Sequence, residues 1–224
     1  RPEEIIASVV EAVAEVLEKL PNKKIEAVGL TNQGESVLAW DAKTLEPLTP
    51  IIVWSDRRAS KLAEDLAKLH GERVRELTGL ELSDYFCASK YAWLLQNNSE
   101  VQQAAKRGTL HFGTLDSWMA LKFGSLDHIS DTSTASRTQL LGLQSGQWEQ
   151  ELLRIFGVPL ETLPKVHPSL RAWGKLRHPS WRQELPWFAS LVDQPAALAG
   201  NGCLTVGDIK ITYGTGCFVY INAG

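Results

Sequence analysis

The chain has 224 residues, of which 44% are hydrophobic and 22% charged, and its formal net charge is −3. This length can bury one sizeable hydrophobic core, while the small negative charge excludes a bulk electrostatic attraction to nucleic acid. No apolar run is long enough to cross a bilayer, so we expect no membrane partner. The cysteines are widely spaced and form no CxxC pair, which argues against a disulfide framework or a thiolate zinc site and favours a reducing, cytoplasmic location.

The N-terminal part of the chain predicts one helix followed by short strands. Apolar residues at helical spacing predict a helix over residues 1–20, and Pro2 suits its first turn. Residues 25–31 predict a strand that is apolar enough to be buried on both faces. Residues 36–40 and 51–54 predict two further strands, so this part of the chain indicates an α/β arrangement.

Helices dominate the middle of the chain. The pattern predicts a helix over residues 57–70, with Asp56 as its cap and Gly71 as its stop signal. The stretch from residue 159 to residue 186 is rich in proline and is predicted to be irregular. Further helices are predicted over residues 85–97, 100–107 and 115–123 and over a segment that closes with residues 152–156, with a short strand at residues 110–112.

The C-terminal part combines a lone carboxylate with a glycine-rich turn. Asp193 precedes a short helix over residues 195–199, and Gly214-Thr215-Gly216 lies between predicted strands at residues 209–212 and 217–221. Glycines beside a hydroxyl residue let backbone N–H groups approach a phosphate, and a carboxylate can take the proton of an alcohol. The combination suggests phosphoryl transfer to an alcohol. Taken alone, Asp193 is better explained as a helix N-cap, and the turn is better explained as a plain β-hairpin turn.

Several segments in chain order carry a family resemblance: VGLTNQGES, IIVWSDRR, YFCASKYAWLLQN, FGTLDSWMALKFG, HISDTSTASRTQLLGL, and DQPAALAGNGC followed by TYGTGCFVYINAG. They resemble the FGGY family of carbohydrate kinases, and within it the glycerol kinases most closely. The resemblance implies an α/β fold of the ribonuclease H-like (actin-like ATPase) type, with a mixed β-sheet flanked by helices. It also implies that residues 1–224 are the N-terminal, substrate-binding domain of a two-domain kinase, without the first phosphate-binding hairpin and the second, nucleotide-binding domain. We therefore expect no kinase activity from these residues alone.

The resemblance also implies roles for individual residues. Asp193 would be the general base and would contact Mg²⁺ through water. Simpler structural roles stay open for three of the other side chains: a solvated loop acid for Glu35, a core residue for Trp54 and a helix-start residue for Tyr85. The implied substrate contacts are Gln33, Gly34, Glu35, Trp54, Tyr85 and Gln194, and the implied contacts of the ATP phosphates are Gly214, Thr215 and Gly216.

Two positions depart from the family pattern. Glycerol kinases carry Gln-Arg-Glu where this chain has Gln33-Gly34-Glu35, so the positively charged side chain that would bind the substrate hydroxyls is missing. The family usually has glycine where Val192 stands. Gly34 therefore leaves glycerol, erythritol-like polyols, xylulose and ribulose open as substrates. Arg137, in the segment DTSTASRT, is expected to brace the sheet without a catalytic role.

The sequence thus predicts a kinase that uses ATP and Mg²⁺ to phosphorylate a primary hydroxyl of a small polyol or ketose. The alternative is a non-catalytic sugar-binding or regulatory protein on the same fold, because a fold alone does not define a function. An ATPase of the same superfamily is a third class, against which the small-substrate cluster of Gln33, Glu35, Trp54 and Tyr85 argues. A monomer and a homo-oligomer are both compatible with the sequence.

Overall fold

The computed structural model describes residues 1–124, 127–214 and 216–224, along which helices and strands are interspersed. The helices are α1 (Pro2–Lys19), α2 (Ser60–Thr78), α3 (Cys87–Asn97), α4 (Ser99–Arg107), α5 (Leu115–Phe123), α6 (Thr132–Ser136), α7 (Gln150–Phe156) and α8 (Asp193–Gly200), with a 3₁₀ turn at Leu160–Thr162. The strands are β1 (Val28–Asn32), β2 (Val37–Asp41), β3 (Leu110–Thr114), β4 (Ile129–Asp131), β5 (Lys165–His167), β6 (Leu170–Leu176), β7 (Leu185–Val192), β8 (Ile209–Tyr213) and β9 (Cys217–Ile221).

The largest sheet among the described residues has three strands in the order β1-β7-β6. Strand β1 runs parallel to β7, whereas β6 runs antiparallel to it. The other strands form pairs: β2 with β3 antiparallel, β4 with β5 parallel, and β8 with β9 as an antiparallel hairpin. Parallel and antiparallel pairing within one sheet, with helices packed against it, confirms the predicted α/β class with a mixed sheet.

Two large apolar clusters hold these elements together. One joins α2, α3 and α7 with β2 and β3, and in it the rings of Tyr91 and Phe112 stack with centroids 4.6 Å apart. The other lies between α1, α5 and the three-stranded sheet, where Trp173 and Trp187 stack with centroids 4.8 Å apart. Full burial of a large apolar side chain is worth roughly 1.5–3 kcal/mol, so the second cluster fixes the strand that ends at Val192.

The helix predictions are largely confirmed. The helix predicted over residues 1–20 is α1, α5 coincides with residues 115–123, and α7 ends at Gly157 in the left-handed conformation that glycine favours. None of the helices within residues 1–124, 127–214 and 216–224 is both long and apolar enough to cross a membrane.

The helix predicted over residues 57–70 is wrong at both ends. Asp56 does not cap it, because the Asp56 carboxylate accepts hydrogen bonds from the backbone N–H and the guanidinium of Arg58. Gly71 does not stop it, because this glycine is accommodated inside α2, and the helix ends only at Gly79, where φ is 74°.

The prediction for β1 is also wrong in part. The strand begins at Val28 rather than at residue 25, and it is not buried on both faces. Val28 and Leu30 pack towards the cluster around α1, whereas Gly29 and Thr31 are exposed. The strand is therefore covered on one side only, a tertiary fact that its apolar composition does not reveal.

Two further stretches differ from their prediction. Residues 51–54 contain a single bridge, between Ile52 and Val37, instead of a strand. Residues 159–186, predicted to be irregular, contain β5, β6 and the start of β7. The strands form there because Trp173 and Trp181 are buried in the cluster with α1 and α5, and this packing outweighs the local effect of the prolines.

Candidate active site

The parallel pairing of β1 and β7 brings two distant segments to one edge of the sheet. Asn32, the last residue of β1, pairs with Val192, the last residue of β7. Residues 33–35 and Asp193 therefore follow the carboxyl ends of neighbouring strands, which is where open α/β sheets bind ligands. The strand register places the predicted base beside the predicted substrate loop.

A cavity of about 110 Å³ lies at this edge. It is far smaller than the roughly 300–1,000 Å³ of a drug-sized ligand site, and it suits a small polar molecule. Gly34 does not line it but is buried behind Val192 and Arg137. The lining includes six residues that the sequence predicted, namely Gln33, Glu35, Trp54, Tyr85, Asp193 and Gln194, together with Arg137, Val192, Phe218 and Tyr220.

Asp193 is the first residue of α8, and Val192 is the N-cap residue. Oδ1 of Asp193 accepts a hydrogen bond of 2.8 Å from the backbone N–H of Gln194. Oδ2 has no hydrogen-bond partner within the described residues. One carboxylate oxygen is thus fixed by the start of the helix, while the other is available to a ligand.

Glu35 is a buried carboxylate that pairs with Arg137. The Arg137 Nε–H donates to Oε1 of Glu35 at 2.7 Å, and only 8% of the Glu35 side chain is exposed. Burial raises the pKa of Glu35 above its ordinary value; the Arg137 guanidinium opposes this rise, and the negative charge of Asp193 adds to it. In this fold Glu35 lies inside the cavity wall and not on a solvated loop.

Lys90 ties the loop of residues 33–35 to the start of α3. Its ammonium group, on a fully buried side chain, donates to the backbone carbonyl oxygens of Tyr85 at 2.6 Å, Phe86 at 3.2 Å and Glu35 at 3.3 Å. Burial lowers the pKa of Lys90 below its ordinary value. This one side chain therefore fixes the backbone on both sides of the cavity.

Trp54 and Tyr85 form an aromatic wall of the cavity. Their rings meet edge to face, with centroids 5.8 Å apart. The Ser36 hydroxyl accepts from the backbone N–H of Trp54 and donates to Oε1 of Gln33, so it joins this wall to the loop. Burial, followed by the charge of Glu35, raises the pKa of Tyr85 to about 12.

The hairpin of β8 and β9 supplies residues that sequence reasoning missed. Phe218 and Tyr220 lie on alternate positions of β9 and both line the cavity, a spacing of two that identifies one face of a strand. Gly214 and Gly216 do not line it; the Gly214 N–H donates to the carbonyl oxygen of Gly216 at 3.0 Å. Thr215, the predicted nucleotide contact between them, lies outside the described residues.

The donor set at this edge fits a magnesium ion that is bound mainly by phosphates. No group of three or more His, Cys, Asp or Glu side chains suited to a metal occurs within the ranges 1–124, 127–214 and 216–224. Mg²⁺ commonly uses one or two carboxylates and takes its other ligands from water and substrate phosphates. Oδ2 of Asp193 can supply such a contact through a metal-bound water, which leaves the carboxylate itself unligated.

The topology and the cavity define a class: small-ligand α/β domains of the ribonuclease H-like (actin-like ATPase) type. The fold matches glycerol kinase from Plasmodium falciparum, solved with ADP, with a TM-score of 0.91 and 31% identity over 99% of this chain and 45% of that chain. Xylulose kinase from Lactobacillus acidophilus shares the fold, with a TM-score of 0.86 and 21% identity over 98% of this chain and 44% of that chain.

Sequence comparison identifies the family. The profile of the FGGY family of carbohydrate kinases, N-terminal domain, matches residues 1–200. A glycerol kinase of Rhodopirellula baltica is 43% identical over 202 residues, which cover 89% of this chain and 38% of the relative. A glycerol kinase of Geobacter sp. (strain M21) is 41% identical over 221 residues, which cover 98% of this chain and 44% of that relative. The chain belongs to the FGGY family of carbohydrate kinases, and it spans about two fifths of the length of these curated relatives.

Proposed function

We propose that the protein containing this chain transfers the γ-phosphoryl group of ATP to a primary hydroxyl of a small polyol or ketose. The observation that carries the proposal is the convergence of Asp193, Glu35, Tyr85 and Trp54 on one small cavity at the carboxyl edge of the sheet. The names of the relatives support this reaction class and make glycerol the first candidate substrate.

Asp193 is the proposed general base. A free hydroxyl is a poor nucleophile, and a carboxylate within hydrogen-bond reach takes its proton as the phosphoryl group arrives. Because the Gln194 N–H holds Oδ1, the other oxygen is free to receive that proton. A bond forms between the substrate oxygen and the γ-phosphorus, and the bond from that phosphorus to the bridging oxygen breaks to release ADP.

The cavity offers the two kinds of surface that a polyol requires. Glu35 and Gln194 present polar atoms to hydroxyl groups, while the rings of Trp54 and Phe218 suit the C–H side of the molecule. A volume of about 110 Å³ favours a short carbon chain over a hexose polymer or an aromatic ligand.

We further propose that the chain is the N-terminal, substrate-binding domain of a two-domain kinase whose second domain holds the adenosine. The match of an N-terminal-domain profile and the coverage of about two fifths of the relatives support this. Gly214, Thr215 and Gly216 are the proposed contacts of the ATP phosphates. Mg²⁺, when bound, neutralises phosphate charge, and Asp193 is the residue that would hold it, through water. Closure over the cavity would exclude water and limit ATP hydrolysis.

The test is a coupled assay of ADP release by the full-length protein, with Mg²⁺-ATP and with glycerol, erythritol, xylulose or ribulose in turn. We expect turnover with at least one of them. In Asp193→Asn, kcat should fall by about 10²–10⁴-fold while polyol binding, measured by calorimetry, persists. Asp65→Asn, at an exposed ion pair on α2, is the matched control and should leave kcat unchanged.

Two outcomes would contradict these assignments. Polyol binding without turnover in the wild type would replace the kinase with a non-catalytic sugar-binding protein. An unchanged kcat in Asp193→Asn would exclude Asp193 as the base.

A further inference from the structure

Arg137 is the cation of the cavity wall. Within the part of the chain that the structure describes, it is the one Lys, Arg or His side chain that lines the cavity. It directly follows α6, whose start is fixed by Asp131, because that carboxylate accepts from the backbone N–H groups of Ser133 at 2.8 Å and Thr134 at 3.2 Å. The guanidinium is therefore carried by a firmly anchored element.

One edge of the guanidinium is bound to protein. Nε donates to Glu35, and Cζ lies 5.0 Å from the centre of the Phe86 ring. The terminal nitrogens Nη1 and Nη2 have no hydrogen-bond partner among residues 1–124, 127–214 and 216–224. About a fifth of this side chain, 22%, is exposed, and the side chain lines the cavity, so a ligand hydroxyl there can accept from these N–H donors.

Because residue 34 is a glycine, the Arg137 side chain can occupy this wall of the cavity. A Cβ atom at residue 34 would lie 3.1 Å from Cγ of Arg137 and closer still to Cγ2 of Val192. A side chain at residue 34 cannot enter the cavity without displacing one of them. The cation therefore reaches the cavity from the end of α6 and not from the substrate loop.

The charges around Arg137 select the kind of ligand. Two carboxylates, Glu35 and Asp193, and one cation, Arg137, line the cavity. This excess of negative charge favours a neutral ligand over an anionic one. We propose that Arg137 is a substrate-binding residue: its terminal nitrogens donate hydrogen bonds to a hydroxyl oxygen of a neutral polyol, while Nε holds Glu35 in place for another hydroxyl. The inference rests on the proposed function, because it takes a polyol as the ligand.

The experiment compares Arg137→Gln and Arg137→Lys with the wild type, all in the full-length protein. The polyol KM, the ATP KM and kcat are measured, and tryptophan fluorescence reports polyol binding through Trp54 without turnover. Arg137→Gln should weaken polyol binding by about 10- to 100-fold and leave the ATP KM unchanged. Arg137→Lys keeps the positive charge but not the planar guanidinium group, so its loss of polyol affinity should be smaller. Arg73→Gln, at an exposed ion pair with Glu151, is the matched control and should change neither constant.

Deoxy analogues of the polyol separate direct binding from simple bracing of Glu35. In the wild type, loss of the hydroxyl that Arg137 binds should weaken binding by the same factor as Arg137→Gln. In Arg137→Gln, that analogue should bind as well as the parent polyol.

Three outcomes would overturn the inference. Two of them would overturn the inference and leave the proposed function intact. One is an equal loss of affinity for every deoxy analogue in both the wild type and Arg137→Gln. The other is unchanged polyol binding by Arg137→Gln while the wild type is active. A wild type that neither binds nor phosphorylates any polyol would overturn the proposed function, and the inference with it.

Discussion

Gly34 and Val192 form a complementary pair, in which the valine side chain fills the space that a side chain at residue 34 would need. A Cβ atom at residue 34 would lie well within 3.0 Å of Cγ2 of Val192. These are the two positions at which the resemblance to the FGGY family implies a departure, with arginine expected at the first in glycerol kinases and glycine expected at the second. Because the two positions touch, each departure accommodates the other.

This contact predicts a strong coupling between the two positions. Gly34→Ala should lower the free energy of unfolding of the full-length protein by about 1–3 kcal/mol, because overpacking a buried site forces neighbouring groups to shift. In Gly34→Ala/Val192→Ala the loss should be smaller than the sum of the two single losses, by about 1 kcal/mol or more. Unfolding in urea measures all three variants.

Gly29→Ala is the matched control on the same sheet. Its added Cβ would lie 3.6 Å from Cβ of Ala189, an ordinary contact, so the free energy of unfolding should change by less than about 1 kcal/mol. Additive losses in the double variant would contradict the steric pairing.

The residues of the cavity could be predicted from the sequence where they lie in local motifs. Asp193 opens a recognisable helix start, and residues 33–35 follow a recognisable strand, so both could be proposed without coordinates. That the two segments adjoin depends on the register of β1 against β7, and no local pattern carries this register.

Other contacts depend on long-range geometry that the sequence does not carry. Arg137 meets Glu35 across 102 residues of chain, so the sequence predicted only a bracing role for it. Phe218 and Tyr220 belong to a strand that was predicted, but alternation along β9 does not reveal which face meets the cavity. Strand β6 was missed for a similar reason, since its formation depends on burial of Trp173 against α1 and α5.

Lys90 gives a prediction about stability and binding together. Lys90→Met keeps the volume of the side chain but leaves the carbonyl oxygens of Glu35, Tyr85 and Phe86 without their donor. The free energy of unfolding should fall by about 2–3 kcal/mol, and the polyol KM should rise because both walls of the cavity loosen. Lys61→Met, at an exposed ion pair on α2, should have little effect in urea unfolding or in the assay. Equal behaviour of the two variants would contradict the role given to Lys90.

Asp116 gives a prediction about pH. It is fully buried, accepts from the Ser130 hydroxyl at 2.6 Å and from the Thr114 hydroxyl, and lies beside Asp131. Burial, followed by the charge of Asp131, raises the pKa of Asp116 from 3.8 to about 6. Between these two values the folded protein binds the proton more tightly than the unfolded chain, so the free energy of unfolding falls as the pH rises through this window.

Asp116→Asn should remove this dependence while keeping a polar group that both hydroxyls can reach. The wild type should lose up to about 3 kcal/mol relative to the variant between pH 4 and pH 6.5, as measured by urea unfolding at a series of pH values. Asp65→Asn is the control, because its carboxylate is exposed and its pKa is lowered by Lys68 and Lys61. Parallel curves for the wild type and Asp116→Asn would show that Asp116 does not titrate in this range.

Ser133 links α6 to the start of α8, and this link predicts a kinetic effect. The Ser133 hydroxyl donates to Asp131 at 2.5 Å and accepts from the backbone N–H of Val192 at 2.9 Å, one residue before Asp193. Ser133→Ala removes the acceptor and frees the strand end that orients the proposed base. Since small displacements of a reacting group have large kinetic effects, kcat should fall about tenfold or more while the polyol KM changes little.

The conservative variant and a neighbouring serine distinguish positioning from general destabilisation. Ser133→Thr retains the hydroxyl and should restore kcat. Ser136→Ala removes a hydroxyl of the same helix that donates to the carbonyl oxygen of Ser133, and it should leave kcat near the wild-type value. If Ser133→Ala and Ser136→Ala lowered kcat equally, the effect would come from a loosened α6. A selective loss in Ser133→Ala that threonine repairs would instead trace the orientation of Asp193 to the hydrogen bond at Val192.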